Sequence, residues 1–340
     1  MVSERVGVIG AGSWGTALTK PLSDRNREIT LWGHSKEHLA TIIESRENKT
    51  YLPGYILKET IRPVFDLGKA VRDHRVIVMV VPSHVFRGVF EKVVPYLEGG
   101  AYIISAAKGI ENETLLTMTQ VMKDVLSQAS PAKNDIRIGV LSGPSFAKEV
   151  AEGLPSAVTV AAENIEAAQV FQQIFFTEKF RVYTSTDVIG LELGGALKNI
   201  VAIAAGICDG LGYGTNTRAA LITRGLAEIT RLGVKMGAAP LTFSGLGGLG
   251  DLVLTCTGDL SRNRTVGVKL GQGKSLRTIL AEMKMVAEGV KTTKSAWSLA
   301  KKMDVEMPIL EQIYQVIYND KPCSDAVHDL LARDQKEELA

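Results

Sequence analysis

The sequence predicts an α/β protein, with an N-terminal Rossmann-type, doubly wound and mainly parallel sheet followed by an all-helical C-terminal domain. An apolar run at the start leads directly into a Gly-x-Gly-x-x-Gly motif, and strand and helix patterns then alternate through the first half. Beyond about residue 186 only helical patterns remain. The 340 residues are too many for one ordinary core. We therefore expect a dinucleotide-binding domain over residues 1–187 and a helical substrate-binding and catalytic domain over residues 188–340.

The glycine motif consists of Gly10, Gly12 and Gly15, between the first strand pattern and a helical pattern that begins near Thr16. Gly10 allows a tight turn, Gly12 lets the backbone approach a pyrophosphate, and Gly15 lets helix and strand pack closely. The helix N-terminus offers free N–H groups to the phosphates. A plain glycine turn is the alternative, but a preceding strand and a following helix are the context that the motif requires.

Eight apolar segments are predicted to be strands, and several are the near-continuous Val/Ile runs typical of strands covered on both faces. They cover residues 5–9, 28–32, 61–65, 75–80, 101–105, 137–141, 156–161 and 180–184. Helical patterns lie between many of them, notably over 85–97 and 114–126. The later helical stretches cover 188–205, 217–236, 265–272, 275–283, 292–303 and 307–317. We expect a packed junction between the two domains, with the active site in the cleft there.

Composition and charge argue against several classes of protein. The net charge is +2 with both signs mixed along the chain, so we expect no nucleic-acid partner. The longest apolar runs, 76–81 and 200–208, are far shorter than a membrane span, and the N-terminus shows no signal peptide. Three cysteines without metal-type spacing indicate reduced thiols in a cytoplasmic protein. His34 and His38 have no third ligand nearby, so we expect no metal.

The end of the second strand bears on the choice of cofactor. NAD-selective sites place an Asp or Glu here for the ribose hydroxyls, but this chain has none. His34 and Lys36 would instead accept a 2′-phosphate. We therefore expect NADPH/NADP as the cofactor, with NAD(H) also accepted. The alternative is that both side chains only decorate a helix start.

Two loops that follow predicted strands should meet at the carboxyl edge of the sheet. One carries Lys108, a candidate for holding an anion, and the other carries Gly143, Ser145 and Ala147. The second loop resembles a hydrolase nucleophile elbow, so a serine hydrolase is an alternative. The only histidine after Ser145 is His328, and a hydrolase would give the N-terminal glycine motif no role.

Lys198 is the strongest candidate for proton transfer. On a helix it shares a face with Gly194 and Gly195, which leave room for a ligand beside the ammonium. Its apolar neighbours would desolvate the amine and lower its pKa towards a useful range. The alternative is a lysine that extends from a buried helix to solvent.

A second glycine-rich segment, residues 245–251, also contains Gly-x-Gly-x-x-Gly but has no preceding strand, so we do not interpret it as a nucleotide fingerprint. We expect a flexible loop that places Asp251 near the ligand. Ser261, Arg262 and Asn263 follow, ahead of a helix. Arg262 could bind a phosphate through paired N–H donors, although an arginine in a loop is more often solvated.

Together these motifs closely resemble those of bacterial NAD(P)-dependent glycerol-3-phosphate dehydrogenases, over essentially the whole chain. The Lys198 segment and the Ser261-Arg-Asn triplet, in this order, are the most specific part. The resemblance implies reversible reduction of dihydroxyacetone phosphate to sn-glycerol 3-phosphate for phospholipid synthesis, with Lys198 donating and accepting the proton. It also implies two sets of contacts. The substrate would be lined by Lys108, Gly143, Ser145, Lys198, Asp251, Ser261, Arg262 and Asn263. Besides the three glycines, the cofactor would contact Ser13, Trp14, His34, Lys108, Ala147, Arg262, Val286 and Glu288.

Two alternatives stay open beside this resemblance. A related two-domain, NADPH-dependent reductase could act on a keto acid, because Arg262 could bind either anion. A non-catalytic dinucleotide-sensing protein would bind cofactor without turnover, and the intact Lys198 motif argues against it. A homodimer is an expectation that rests only on how common two-fold symmetry is.

Overall fold

The computed structural model describes residues 5–25, 27–129, 135–283, 287–335 and 337–338. All eight predicted strands are present and form one sheet. The strands are β1 (Val6–Ile9), β2 (Ile29–Trp32), β3 (Ile61–Val64), β4 (Val76–Met79), β5 (Tyr102–Ser105), β6 (Arg137–Ser142), β7 (Ser156–Ala162) and β8 (Phe180–Ser185).

The strand order is β3-β2-β1-β4-β5-β6-β7-β8. Every neighbouring pair is parallel except β6 with β7, so the predicted mainly parallel sheet is confirmed. The order reverses between β1 and β4, which is where ligands bind in sheets of this kind. Residues of β1 and β4 are buried throughout, as their apolar runs predicted.

Seven α-helices accompany the strands within the described residues. They are α1 (Ser13–Ser23), α2 (Lys36–Ser45), α3 (Leu67–Val71), α4 (Phe86–Val93), α5 (Met118–Ser127), α6 (Ala147–Glu152) and α7 (Ile165–Phe175). The helix predicted over 85–97 is confirmed as α4 but is shorter than predicted, because 3-10 turns precede and follow α4 and Pro95 cannot continue the helical hydrogen bonding. The helix predicted from residue 114 begins only at Met118, since Leu115 has a left-handed backbone with φ of 63°.

Beyond residue 187, the elements in the described residues are helical, as predicted. They are α8 (Val188–Gly210), α9 (Thr215–Lys235), α10 (Asp251–Thr257), α11 (Arg262–Gly271), α12 (Leu276–Glu282), α13 (Glu288–Met303), α14 (Pro308–Tyr318) and α15 (Cys323–Leu331). The sequence patterns did not predict α10 or α15. Asp187 caps α8, so the predicted division after residue 187 falls between the last strand and the first long helix. The division into two domains itself stays a prediction.

Helix α8 is the centre of the helical part. By length and composition it is apolar enough to cross a membrane, but 89% of its most apolar window is buried inside the protein. It packs against α9, α10, α11 and α13, and its buried apolar side chains from Leu193 onward belong to one large core cluster. A core helix of this kind explains the apolar sequence without a membrane.

Close backbone packing fixes α8 against α11. A Cβ built on Gly206 would lie 2.1 Å from the carbonyl oxygen of Arg264. Gly210 on α8 and Gly267 and Gly271 on α11 lie similarly close to the backbone of the opposite helix. Side chains at these positions would push the helices apart. The pairing therefore sets where the N-terminus of α11 lies relative to α8.

Gly267→Ala should destabilise the protein by about 1–3 kcal/mol, because its methyl group would overlap the backbone of α8. Gly88→Ala is the matched control: Gly88 lies inside α4 with open space around it, so alanine should stabilise by about 1 kcal/mol. Denaturant unfolding of both variants checks the expectation. Equal stability of the two variants would show that the α8–α11 contact is not tight.

Candidate active site

The glycine motif forms an open cradle at the N-terminus of α1. Gly10 has φ of +132°, and a Cβ on Gly15 would lie only 1.9 Å from the Gly10 carbonyl oxygen. Around Gly12, by contrast, no atom lies within 4 Å of a built Cβ, and no side chain caps the helix. Free N–H groups beside open space suit a pyrophosphate. The residues present therefore fit a dinucleotide, with Ser13 and Trp14 in the first helical turn.

The end of β2 lies beside this cradle. A Cβ built on Gly33 would lie 2.9 Å from the Cβ of Ala11. The next residue, His34, is exposed, and so is Lys36 at the start of α2. The ring of His38 instead hydrogen-bonds Asn48 at 2.9 Å. Within the described ranges, no three His, Cys, Asp or Glu side chains are grouped to hold a metal ion.

Two lysines share one buried carboxylate at the carboxyl edge of the sheet. Lys198 on α8 donates from Nζ to Asp251 Oδ1 at 2.6 Å, and Lys108 after β5 donates to Asp251 Oδ2 at 2.5 Å. Lys198 also donates to Thr255 Oγ1 at 2.6 Å, and Lys108 to the Gly143 carbonyl oxygen at 3.2 Å. The exposed fraction is 1% for the Asp251 side chain and 8% for that of Lys198.

The charged groups in this cluster shift each other's pKa values. Burial lowers the pKa of Lys198 to about 8; the neighbouring Lys108 ammonium acts in the same direction, and the Asp251 carboxylate opposes it. Burial alone would raise the pKa of Asp251, but the two ammonium groups hold it below its usual value. Asp251 is therefore ionised near neutral pH, and Lys198 can gain or lose a proton there.

The flexible loop predicted over residues 245–251 is wrong. Leu246–Gly250 forms a π-helical turn, and α10 begins directly at Asp251. The segment packs tightly, since a Cβ on Gly194 would lie 2.5 Å from the Gly247 carbonyl oxygen. These glycines allow close approach between helices. Because the sequence pattern did not predict α10, it also gave no signal for Thr255, one helical turn after Asp251 on the same face.

The Ser261 triplet lies at the start of α11 and not in the loop ahead of the helix that the sequence pattern predicted. Ser261 Oγ caps α11 by accepting from Arg264 N at 3.2 Å, so Arg262 lies in the first helical turn. Asn263 donates at 2.9 Å to Oδ1 of Asn199, the residue that follows Lys198. It also accepts from the Gly289 N–H at 3.0 Å. The triplet thus combines an arginine with the anion-attracting end of a helix.

Glu288 joins the sheet to the helical part at this site. Its Oε2 accepts from Ser83 Oγ, which follows β4, at 2.6 Å. Burial raises the pKa of Glu288, and the positive charges of Lys291 and Arg262 oppose that shift. Burial also lowers the pKa of Arg262, with Glu288 acting against it. Val286, a predicted cofactor contact, lies outside the described residues.

The loop after β6 does not support the hydrolase alternative. Gly143 has φ of +136°, and Ser145 Oγ donates to the Gly143 carbonyl oxygen at 2.9 Å. A nucleophilic serine needs a base to take its proton, and a carbonyl oxygen is not a base. Ala147 begins α6 directly after this loop. Through Gly143, the loop contacts Lys108 and so reaches the lysine–aspartate cluster.

Two family models match the chain along most of its length. The N-terminal model of NAD-dependent glycerol-3-phosphate dehydrogenase matches residues 5–168, and the C-terminal model matches residues 187–328. The chain belongs to the NAD-dependent glycerol-3-phosphate dehydrogenase family. The resemblance found in the sequence motifs is thereby confirmed.

Relatives within this family match essentially the whole chain. The glycerol-3-phosphate dehydrogenase (NAD(P)+) of Desulfotalea psychrophila is 58% identical over 333 residues, covering 98% of both chains. That of Pelotomaculum thermopropionicum is 50% identical, covering 99% of this chain and 96% of the relative. The crystal structure of glycerol-3-phosphate dehydrogenase from Coxiella burnetii matches with a TM-score of 0.92 at 38% identity, over 97% of this chain and 99% of that one.

The keto-acid reductase alternative has only a shared fold to support it. A ketopantoate reductase from Ralstonia eutropha matches with a TM-score of 0.58 at 14% identity, over 95% of this chain and all of that one. Such a likeness shows the architecture and nothing of the substrate. The likeness in fold therefore favours neither alternative, and family membership separates them.

Asp251→Asn should destabilise the protein by about 3–5 kcal/mol, because it leaves the ammonium groups of Lys108 and Lys198 without their shared buried carboxylate. The control is Asp259→Asn, whose carboxylate pairs with Arg264 but has an exposed fraction of 97%. The stability of that variant should stay close to that of the unmodified protein. Urea unfolding of both measures the difference, and equal midpoints would contradict the account of the cluster.

Proposed function

We propose that this chain is a glycerol-3-phosphate dehydrogenase that reduces dihydroxyacetone phosphate to sn-glycerol 3-phosphate and catalyses the reverse oxidation. The observation that carries the proposal is the Lys198 ammonium, held by Asp251 in a buried cluster close to the N-terminus of α11. Family membership supports the choice of substrate. The product would supply phospholipid synthesis.

Lys198 is the proposed acid and base. When bound, the nicotinamide cofactor would supply the hydride for the carbonyl carbon in reduction and would accept it in oxidation. As negative charge develops on the carbonyl oxygen, the Lys198 ammonium stabilises it and gives up its proton. Because burial lowers the pKa of Lys198 to about 8, the proton leaves far more easily than from a solvated lysine. In oxidation the neutral amine takes the hydroxyl proton back.

The phosphate of the substrate would bind at the start of α11. Arg262 offers a fork of N–H donors, and the first helical turn offers backbone N–H groups beside Ser261 and Asn263. Lys108, Gly143, Ser145 and Asp251 would line the rest of the substrate site. Binding energy from the phosphate then orients the carbonyl next to Lys198.

The cofactor would lie along the carboxyl edge of the sheet. The Gly10, Gly12 and Gly15 motif would hold the pyrophosphate, and His34 with Lys36 would favour a 2′-phosphate, so NADPH is the proposed preference, with NADH also accepted. Lys108 and Arg262 would contact both cofactor and substrate. Further proposed contacts are Ser13, Trp14, Ala147, Val286 and Glu288.

A cytoplasmic location and a homodimer complete the proposal. All three cysteines are free, which suits a reducing compartment. The homodimer rests on how common two-fold symmetry is.

The proposed function is tested by mixing purified protein with NADPH and either dihydroxyacetone phosphate or a 2-keto acid, and following cofactor absorbance. Loss of NADPH with the triose phosphate alone is the expected result. Loss with the keto acid alone would overturn the substrate, and no turnover with NADPH still bound would favour the dinucleotide-sensing alternative.

Lys198→Ala should lower turnover by at least about a hundredfold, because the ammonium that would protonate the carbonyl oxygen is lost. The affinity for NADPH, measured by fluorescence titration, should stay nearly unchanged. Lys302→Ala, an exposed lysine at the end of α13, is the control and should keep the unmodified rate. Near-normal turnover of Lys198→Ala would refute the acid assignment.

Arg262→Ala should mainly raise the KM for dihydroxyacetone phosphate, by about tenfold or more, because a charge-assisted pair to the phosphate is lost. The KM for unphosphorylated dihydroxyacetone should change little, since that ketone has no partner for the guanidinium. Arg277→Ala, an exposed arginine on α12, serves as the control. An unchanged KM for the triose phosphate would remove Arg262 from the phosphate site.

A further inference from the structure

Glu192 is a buried carboxylate that none of the proposed catalytic steps uses. It lies on α8, six positions before Lys198 in sequence, and 5% of it is exposed. Thr117 Oγ1 donates to its Oε2 at 2.6 Å, Thr119 Oγ1 donates to the same oxygen, and Thr119 N donates to Oε1 at 2.8 Å. A buried carboxylate is costly unless its oxygens are hydrogen-bonded, and here both oxygens are.

The two threonines begin α5, at the far end of the loop that carries Lys108. Thr117 is the N-cap of α5, and it also pairs with Ile110 in an isolated antiparallel bridge. The Glu111 N–H donates to the Leu116 carbonyl oxygen at 2.9 Å, which closes the loop further. Ile110 is only two positions after Lys108. Holding Thr117 therefore holds the base of the Lys108 side chain.

The same loop is clamped from its other side and rests on α8. Arg87 on α4 donates from Nε and Nη2 to the two oxygens of Glu111, at 3.0 and 2.9 Å, and from Nη1 to Asp124. A Cβ built on Gly195 of α8 would lie 3.4 Å from Lys108 Cγ. The stem of Lys108 thus lies against α8, about one helical turn beyond Glu192.

We infer that Glu192 is a positioning residue: it fixes the loop of Lys108 against the helix of Lys198, so that both ammonium groups meet Asp251. The inference rests on the proposed function, in which Lys108 binds substrate and Lys198 transfers the proton. The groups that act electrostatically on the Lys198 ammonium are Asp251, Lys108 and Cys256, with Thr255 as a hydrogen-bond partner. Displacing Lys108 would remove a repulsive charge from this set.

The test compares Glu192→Ala with Glu192→Gln. In the alanine variant the loop loses its anchor, so the dissociation constant of glycerol 3-phosphate, measured by calorimetry, should rise about tenfold to a hundredfold, and kcat/KM should fall by a similar factor. The apparent pKa in the pH profile of reduction should rise, because Lys108 no longer repels the Lys198 proton. The glutamine variant should behave like the unmodified protein. Its oxygen can accept from Thr119 N, and its NH₂ group can donate to both threonine hydroxyls.

Two further variants separate positioning from stability. Thr119→Val removes the hydroxyl hydrogen bond to Glu192 while keeping the side-chain shape and the backbone N–H. The glycerol 3-phosphate affinity, kcat/KM and the apparent pKa should therefore change as in Glu192→Ala, but by a smaller factor. Glu228→Ala removes another buried carboxylate, which accepts from Ile309 N at 2.8 Å and Leu310 N at 3.3 Å at the start of α14. It should lower Tm without moving the glycerol 3-phosphate affinity or the pH profile.

The outcomes are distinguishable. If the unmodified protein is active and Glu192→Ala has the same affinity, rate and pH profile, the inference is overturned. The proposed function would stand in that case. If that variant does not fold, unmodified values in Thr119→Val would overturn it. Absence of dihydroxyacetone phosphate turnover by the unmodified protein would overturn the proposed function and the inference with it.

Discussion

The contact between α8 and α11 is the constraint on which the site depends. Glycines on both helices let the two backbones approach until a single added methyl group would overlap the opposite chain. At the end of this contact, the Asn199–Asn263 hydrogen bond brings the first turn of α11 beside Lys198. The proposed proton donor and the proposed phosphate site therefore belong to one rigid pair of helices, and their separation does not depend on a loop.

The charge balance of the buried cluster explains why an anionic substrate would suit it. Two ammonium groups face one carboxylate, so the cluster carries a net charge of about +1 when both lysines are protonated. Burial makes this excess charge costly, and it lowers the pKa of Lys198 accordingly. Negative charge that develops on a carbonyl oxygen beside Lys198 would relieve the imbalance. The excess positive charge that is costly in the free site thus stabilises the transition state.

The sequence predicted the elements whose signal is local. Apolar runs and the first glycine motif gave the sheet and the fold class, and a lysine beside two glycines marked Lys198. The interactions between distant elements were not predictable: Thr255 is 57 positions from Lys198, and Thr117 is 75 positions from Glu192. The segment over 245–251 was misinterpreted because glycine serves both flexible loops and close packing, and only the neighbouring α8 decides between them. The roles of the individual site residues stay predictions.

Lys198 is the proposed acid, and burial lowers its pKa to about 8. The most direct measurement is kcat/KM as a function of pH in both directions, since this ratio reports ionisations of the free enzyme. Reduction needs the ammonium form, so its kcat/KM should fall as pH rises through about 8; oxidation needs the neutral amine, so its kcat/KM should rise over the same range. Profiles that are flat from pH 7 to 9 in both directions, about one unit on each side of the expected pKa, would contradict the account.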